Sequence, residues 1–139
     1  MTLKELGLLT KKASKVLPTI STQQKQQILK RMAEKILDAR DVIKTENQKD
    51  LDGAQQKGLS SAMIDRLTLT DDRITSMADS LVEVASLEDP VGAITEAYTR
   101  PNGLLVQRMR IPLGVIGVIY ESRPNVTVEA ASLCFYAGN

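Results

Sequence analysis

One apolar run near the end of the sequence constrains the fold more than any other feature. Residues 115–120 contain no charged side chain, which is typical of a strand buried on both faces of a parallel sheet. The polar loop 121–125 follows, and residues 126–136 predict an almost entirely apolar helix that Gly138 ends. A strand, a polar loop and a buried helix form the first half of a βαβ unit, so we expect an α/β protein. Because a central strand needs neighbours, we expect the other strands to lie beyond Asn139.

Residues 1–92 predict a series of helices. Thr2 with Glu5 and Ser21 with Gln24 form capping-box patterns that begin the first two. We expect the first helix to stop at Pro18 and the second to continue to about residue 50.

The long second helix has a predicted core face and a predicted solvent face. Ile28, Met32, Ile36 and Ile43 recur at helical spacing and form the apolar face. Its charged side chains lie elsewhere, and we expect its lysines, including Lys25, to be solvated.

Two further helices are predicted before residue 88. Residues 60–67 predict a short one. Thr70 begins the next, since a hydroxyl cap followed by Asp71 and Asp72 suits the positive end of a helix dipole. Its apolar face consists of five side chains at helical spacing, Ile74, Met77, Ala78, Leu81 and Ala85.

Residues 93–111 predict an antiparallel ribbon. The strands are 94–99 and 104–111, and Asn102-Gly103 between them favours the positive φ angles of a tight hairpin. Its arginines, Arg100, Arg108 and Arg110, could bind an anion, but we favour a solvated or subunit-facing ribbon edge. The chain therefore divides into residues 1–92, 93–111 and 112–139.

Composition excludes several classes of function. The absence of histidine rules out Ser-His-Asp and Cys-His catalysis within these 139 residues, and no zinc or other metal site is predicted. A formal net charge of +1 gives no long-range field for nucleic acid or an anionic membrane. No apolar stretch reaches the ~20 residues that cross a bilayer, and the N-terminus is not a secretory signal. The lone Cys134 fits a reducing cytoplasm, where we expect the protein.

Two segments carry a specific resemblance. They are Arg110-Ile-Pro-Leu-Gly-Val-Ile-Gly-Val-Ile-Tyr-Glu-Ser-Arg-Pro-Asn-Val-Thr127 and Ala137-Gly138-Asn139. The helical part adds Asn47-Gln-Lys-Asp-Leu51 and Met63-Ile-Asp-Arg-Leu67. With these segments the chain resembles the gamma-glutamyl phosphate reductase family (glutamate-5-semialdehyde dehydrogenases) of the aldehyde dehydrogenase superfamily. The resemblance covers essentially the whole chain and corresponds to the N-terminal part of such an enzyme.

The resemblance implies a fold. Residues 1–92 would form the helical part of a cofactor-binding domain, 93–111 a ribbon used in oligomerisation, and 112–139 the first strand and helix of the dinucleotide-binding sheet. The expected architecture is aldehyde dehydrogenase-like, and a homo-oligomer is expected. An association with glutamate 5-kinase is a further implied partnership.

The resemblance also implies a reaction, the NADPH-dependent reduction of L-glutamyl 5-phosphate to glutamate 5-semialdehyde in proline biosynthesis. A cysteine thiolate would displace phosphate to form a thioester, which hydride from NADPH then reduces. That cysteine is expected outside this chain, so the chain alone is expected to be inactive.

The loop 121–125 is the best candidate site, because open α/β sheets bind ligands where a strand ends and a helix begins. The resemblance assigns the oxyanion or the substrate phosphate to Arg123 or Asn125. An ungapped count from Pro112 favours Arg123, and a two-residue shift favours Asn125. The alternative is an ordinary loop in which Asn125 caps the helix. The candidate cofactor contacts are Tyr120, Glu121, Ser122 and Pro124.

Two tempting features are not predicted to be functional. Cys134 lies in the apolar helix without a basic neighbour, so we interpret it as a small buried residue and not as a nucleophile. Gly114 and Gly117 lie before and inside the predicted strand, whereas a dinucleotide fingerprint needs glycines after it. We expect these glycines to allow close backbone packing.

Two other functions stay open. A non-catalytic helical assembly or binding module derived from the same family would keep the helices without the chemistry. Another semialdehyde dehydrogenase would keep the superfamily and change the substrate, although residues 120–127 argue against it.

Overall fold

Side-chain caps begin four helices in the computed structural model, which describes residues 1–121 and 123–139. Helices α1 (Leu3–Ala13) and α2 (Thr22–Asp38) start at the capping boxes of Thr2 and Ser21. Residues Ser60 and Thr70 cap two later helices, α4 (Ser61–Leu67) and α5 (Asp71–Ser86). Each hydroxyl accepts a hydrogen bond from a first-turn N–H group that has no partner within the helix. These four predicted starts are confirmed.

The predicted long second helix is wrong, because it is two helices. Helix α2 ends at Asp38, and α3 (Arg40–Gln56) begins after Ala39, whose backbone has φ −88° and ψ 8°. Neither Gly nor Pro stands at this break. Helix α2 packs on α5 whereas α3 contacts α4, so we attribute the break to tertiary packing. The first helix also ends earlier than predicted, and Pro18 lies in a separate 3₁₀ turn, Leu17–Thr19.

The core lies between α2, α5 and α6 (Pro124–Tyr136). Its buried apolar side chains come from all three helices: Leu29, Ala33, Ala78, Leu81, Val84, Ala85 and Tyr136. The five predicted core positions of α5 are all buried. On α2 the buried stripe is offset by one position from the predicted face, so Leu29 is fully buried while Ile28 is 39% exposed. No helix among the described residues is both long and apolar enough to span a bilayer.

Lys25 is buried, although it was predicted to be solvated. Its Nζ donates to the Asp89 carboxylate oxygens at 3.1 and 2.9 Å and to the Tyr136 carbonyl oxygen at 3.1 Å. Asp89 also accepts from the Thr22 hydroxyl at 2.9 Å and the Val91 N–H at 3.0 Å. Burial raises the pKa of Asp89, but these hydrogen bonds and the charge of Lys25 together bring the pKa below its ordinary value. The network joins α2, the end of α6 and the approach to the ribbon.

The predicted ribbon is confirmed, although its second strand is shorter than the predicted 104–111. Strands β1 (Ile94–Thr99) and β2 (Leu105–Met109) pair antiparallel, with an irregularity between Ile94 and Glu96. At the turn Gly103 has φ 86° and donates its N–H to the Arg100 carbonyl oxygen at 2.9 Å. The side chains of β1 are all exposed, and Arg108 pairs with Glu96 at 3.2 Å on the surface.

Helix α6 ends at Tyr136, and Gly138 terminates it just beyond the C-cap residue Ala137, as predicted. Gly138 has φ 77°, and its N–H donates to the Phe135 carbonyl oxygen at 3.0 Å while that of Asn139 donates to the Cys134 carbonyl oxygen at 2.9 Å. These two bonds form a Schellman motif. The Asn139 side-chain oxygen then accepts from the N–H groups of Leu113 and Gly114 at 2.6 and 3.0 Å, which ties residues 113–114 to the end of α6.

The segment between Pro112 and Glu121 contradicts the predicted buried strand. It is assigned to neither helix nor strand, and residues 115–120 are exposed. Strand structure requires a hydrogen-bonded neighbour, and no strand among the described residues pairs with this segment. The predicted close packing at Gly114 and Gly117 is also wrong, since a Cβ added at either would meet no atom within 4 Å. Gly114 instead has φ 111°, a conformation that favours glycine.

Candidate functional site

A cavity of about 300 Å³ lies between the end of α4, the start of α5 and the start of α6. This volume is at the small end of the range for metabolite sites. The predicted candidates Arg123 and Asn125 both line it. The other lining residues are mostly polar or charged, and they are Arg66, Thr68, Leu69, Arg73, Ser76, Met77 and Glu129.

The start of α6 positions Arg123 and Asn125. Arg123 precedes the helix with φ −140° and ψ 87°, and Pro124 occupies the first turn, where its missing N–H is tolerated. The Asn125 Nδ2 donates to Glu129 Oε1 at 2.9 Å. The predicted alternative of an Asn125 cap is wrong, because no side chain of the described residues caps α6. The bond to Glu129 fixes the amide orientation and leaves a second N–H for a ligand.

Arg73 is a structural member of the cavity wall. Its guanidinium donates to the carbonyl oxygens of Asp65 and Thr68, the latter at 2.8 Å. It also contacts both carboxylate oxygens of Asp65 at 3.1 and 3.2 Å. The charge of Arg73 is therefore paired, and its side chain is held in place.

Arg66 and Arg123 differ from Arg73 in this respect. Both are exposed, and within the described part of the chain neither guanidinium forms an ion pair. Both residues line the cavity together with Asn125. An anion is the ligand that such a wall favours.

Asn47 on α3 holds the backbone between α4 and α5, which forms part of the cavity wall. It is buried, its Nδ2 donates to the Leu67 carbonyl oxygen at 2.9 Å, and its Oδ1 accepts from the Leu69 N–H at 2.8 Å. These bonds satisfy backbone groups in the link between α4 and α5. The backbone beside Arg66 is thereby fixed to α3.

Comparison with known proteins gives one consistent result. The gamma-glutamyl phosphate reductase of Geotalea daltonii is 55% identical over 127 residues, which are 91% of this chain and 30% of that enzyme. The crystal structure of the Thermotoga maritima gamma-glutamyl phosphate reductase matches with a TM-score of 0.89 at 40% identity, over 94% of this chain and 31% of that one. In sequence and fold, this chain matches the gamma-glutamyl phosphate reductases.

Further relatives carry the same name. The gamma-glutamyl phosphate reductase of Carboxydothermus hydrogenoformans is 53% identical over 93% of this chain and 31% of that enzyme. The Saccharomyces cerevisiae gamma-glutamyl phosphate reductase structure has a TM-score of 0.89 at 34% identity, covering 94% of this chain and 33% of that one. No protein-family model matches the chain. The resemblance stated from the sequence is confirmed, and the chain spans about 30% of the length of the curated gamma-glutamyl phosphate reductases that it matches.

Of the candidate cofactor contacts of this reductase-like chain, Tyr120, Glu121 and Pro124 do not line the cavity. Tyr120 is 46% exposed, and its hydroxyl hydrogen-bonds the Thr127 hydroxyl. Glu121 is exposed, and Pro124 is half-buried in the first turn of α6. Ser122 lies outside the described residues. Their role in cofactor binding stays a prediction.

Cys134 does not line the candidate site. It is half-buried and lines a separate cavity of about 180 Å³ together with Thr10, Val115 and Asn139. Arg123 and Asn125 do not line that cavity.

Sequence reasoning missed three charged lining residues, Arg66, Arg73 and Glu129. Two of them lie far from the loop in sequence, and α4 and α5 bring them to α6 only in the folded chain. One signal was present: Arg66 belongs to the segment 63–67, which resembles the gamma-glutamyl phosphate reductases. Glu129 could also have been predicted from the sequence, because it lies four residues after Asn125 on the same helix face.

Proposed function

We propose that this chain supplies part of the substrate site of an enzyme that reduces L-glutamyl 5-phosphate to glutamate 5-semialdehyde with NADPH, releasing phosphate, in proline biosynthesis. The observation that carries the proposal is the position of Arg123 and Asn125 in one cavity at the start of α6. The names of the relatives support the substrate and the direction of the reaction.

An acyl phosphate needs two kinds of donor. Its phosphate is anionic, and its carbonyl oxygen gains negative charge when a nucleophile attacks. Arg123 offers the planar guanidinium that binds phosphate through two parallel N–H bonds. Asn125 offers an oriented amide N–H, and the positive end of the α6 dipole adds to the same potential. We therefore assign the phosphate to Arg123 and the acyl oxygen to Asn125.

The cofactor and the nucleophile complete this site from other residues. NADPH supplies the hydride when bound. Tyr120 and Glu121 are exposed among the described residues, so they can contribute one wall of a dinucleotide site but do not enclose it. The thioester would form on a cysteine outside this chain, since Cys134 lines a different cavity.

Kinetics in a chimeric enzyme test the proposal. This chain replaces the matching segment of the Geotalea daltonii reductase, and the phosphate-dependent oxidation of glutamate semialdehyde is followed through reduction of NADP. We expect Arg123→Ala and Asn125→Ala each to lower kcat/KM by more than about tenfold, or about 1.4 kcal/mol. The control Lys30→Ala, on the exposed side of α2, should keep the unsubstituted value. If Arg123→Ala and Asn125→Ala both kept the kcat/KM of the unsubstituted chimeric enzyme, the assignment would be overturned.

A further inference from the structure

We propose that the same cavity selects the amino-acid end of the substrate, with Arg66 binding the α-carboxylate and Glu129 binding the α-ammonium group. This inference rests on the proposed function and extends it from the reacting end of the substrate to its specificity. The two residues would be specificity-determining, because both charged groups lie away from the bond that breaks.

The charges that line the cavity match a γ-glutamyl compound. Arg73 is already paired with Asp65, and Arg123 is assigned to the phosphate. Arg66 is then the lining cation that can take a second anionic group, and in a γ-glutamyl compound that group is the α-carboxylate. Glu129 supplies the complementary negative charge for the ammonium group. A carboxylate and a guanidinium bind through two parallel hydrogen bonds, which fixes orientation as well as charge.

The spacing along α6 fits the length of a glutamyl chain. The Asn125 Nδ2 and Glu129 Oε1 atoms are 2.9 Å apart, so two ligand groups that each form a hydrogen bond to one of these side chains can lie about 5 Å apart. In an extended glutamyl group three C–C bonds and one C–N bond put the amino nitrogen about 5 Å from the acyl carbon. A ligand whose acyl oxygen contacts Asn125 can therefore bring its ammonium group to Glu129. Only the Oε1 atom of Glu129 accepts from Asn125, so its second oxygen can meet the ligand.

Arg66 projects from a backbone that is fixed on both sides. On one side Arg73 bonds the carbonyl oxygen and the carboxylate of Asp65. On the other side Asn47 bonds the carbonyl oxygen of Leu67. A cation on so constrained a backbone loses less conformational entropy when it binds a ligand than one on a mobile loop. This support distinguishes Arg66 from a surface arginine of an unconstrained helix end.

Four aldehydes separate the two roles in the same chimeric enzyme. Glutamate semialdehyde carries both charged groups, 5-oxopentanoate only the carboxylate, 4-aminobutanal only the ammonium group, and butanal neither. Arg66→Ala should lower kcat/KM by about tenfold or more for the two aldehydes with a carboxylate and leave the other two within about twofold. Glu129→Gln keeps an acceptor for Asn125 but removes the charge, so it should affect only the two aldehydes with an ammonium group.

The outcomes distinguish this inference from the function on which it rests. An equal loss for all four aldehydes would indicate a structural role and overturn it. Unchanged kinetics in both variants would also overturn it, while the phosphate-dependent turnover of the unsubstituted chimeric enzyme would still support the proposed function. Absence of phosphate-dependent turnover in that enzyme with every aldehyde would refute the proposed function itself, and this inference with it.

Discussion

Lys25 on α2 and Asp89, 64 residues later in the sequence, form a buried ion pair with N–O distances of 3.1 and 2.9 Å. The Lys25 side chain is 1% exposed and that of Asp89 is 11% exposed. Removing such charges from water is unfavourable, so the net contribution of the intact pair to stability is small. Loss of one partner is strongly destabilising, because the remaining charge is left buried without an opposite charge beside it.

Asp89→Ala should therefore destabilise the chain by about 3–5 kcal/mol, measured as the free energy of unfolding in urea. Lys25→Met should destabilise it less, because Asp89 would keep its bonds from Thr22 and Val91. The control is Lys35→Ala, which breaks an exposed pair with Asp38 and should change the free energy by about 0.5 kcal/mol or less. A larger effect for Lys25→Met than for Asp89→Ala would contradict this account.

Acid should weaken the same network. Burial raises the pKa of Asp89, yet the hydrogen bonds from Lys25, Val91 and Thr22 leave it below the ordinary value of 3.8. The unfolded chain thus binds this proton more tightly than the folded chain. The stabilisation is complete above the unfolded pKa of about 3.9 and is lost as the pH falls through the folded pKa.

The free energy of unfolding should accordingly fall more steeply below about pH 4 in the unsubstituted chain than in Asp89→Asn. Asp71→Asn is the control. A hydrogen bond from Lys44 lowers the pKa of Asp71 as well, but this pair is exposed and screened by solvent. Parallel acid profiles for the unsubstituted chain and Asp89→Asn would show that Asp89 does not control acid stability.

The burial of Lys25 shows where sequence reasoning reached its limit for the fold. The helix starts at Ser21 and Thr70 were predictable, because each cap and the N–H group it accepts from lie three residues apart. Lys25 does share a helical stripe with Leu29 and Ala33, but a lysine is rarely buried without a partner. That partner lies in a distant part of the sequence. The apolar run 115–120 failed similarly, since its composition predicts burial but burial requires neighbouring strands.

The candidate site likewise contains residues that the sequence predicts and residues that it does not. Arg123 and Asn125 were predictable because a polar loop between two apolar segments is conspicuous in one sequence. The role of Arg66 was not, because its segment 63–67 shares the family resemblance but an arginine in the last turn of a helix is an ordinary surface feature. Its relation to α6 arises from packing of α5 on α6. The cavity therefore depends on three helices, whereas the sequence indicates only the loop.

Gly138→Ala should destabilise the chain more than Gly58→Ala. Both glycines have positive φ, 77° and 69°, so alanine is strained at either position, by about 1 kcal/mol. A Cβ at Gly138 would also lie 2.8 Å from Pro112 Cγ, whereas a Cβ at Gly58 would meet no atom within 4 Å. The difference between the two free energies of unfolding measures the contact with Pro112. Equal values would mean that the proline ring moves away without penalty.

Asn139→Ala should free the backbone of Leu113 and Gly114. The Asn139 Oδ1 accepts from both N–H groups, so its loss should speed amide hydrogen exchange at these two residues by about fivefold, which corresponds to about 1 kcal/mol for each bond. Asn139→Asp keeps an acceptor and should retain most of the protection. The control Asn102→Ala removes an equivalent bond to Leu104 in the ribbon turn and should leave Leu113 and Gly114 unaffected.

The exposed run 115–120 should cause this chain to self-associate. Its backbone N–H and C=O groups have no strand partner among the described residues, and the Ile119 side chain is fully exposed. Apolar side chains beside unpaired backbone groups favour pairing between chains. Sedimentation velocity should show association that increases with concentration and is weakened by Ile119→Lys. Val42→Lys, at a position that is 65% exposed on α3, should not weaken it, because a lone apolar side chain on a helix offers no unpaired backbone. A monomer at every concentration, or equal effects of the two lysines, would exclude residues 115–120 as the surface through which the chains associate.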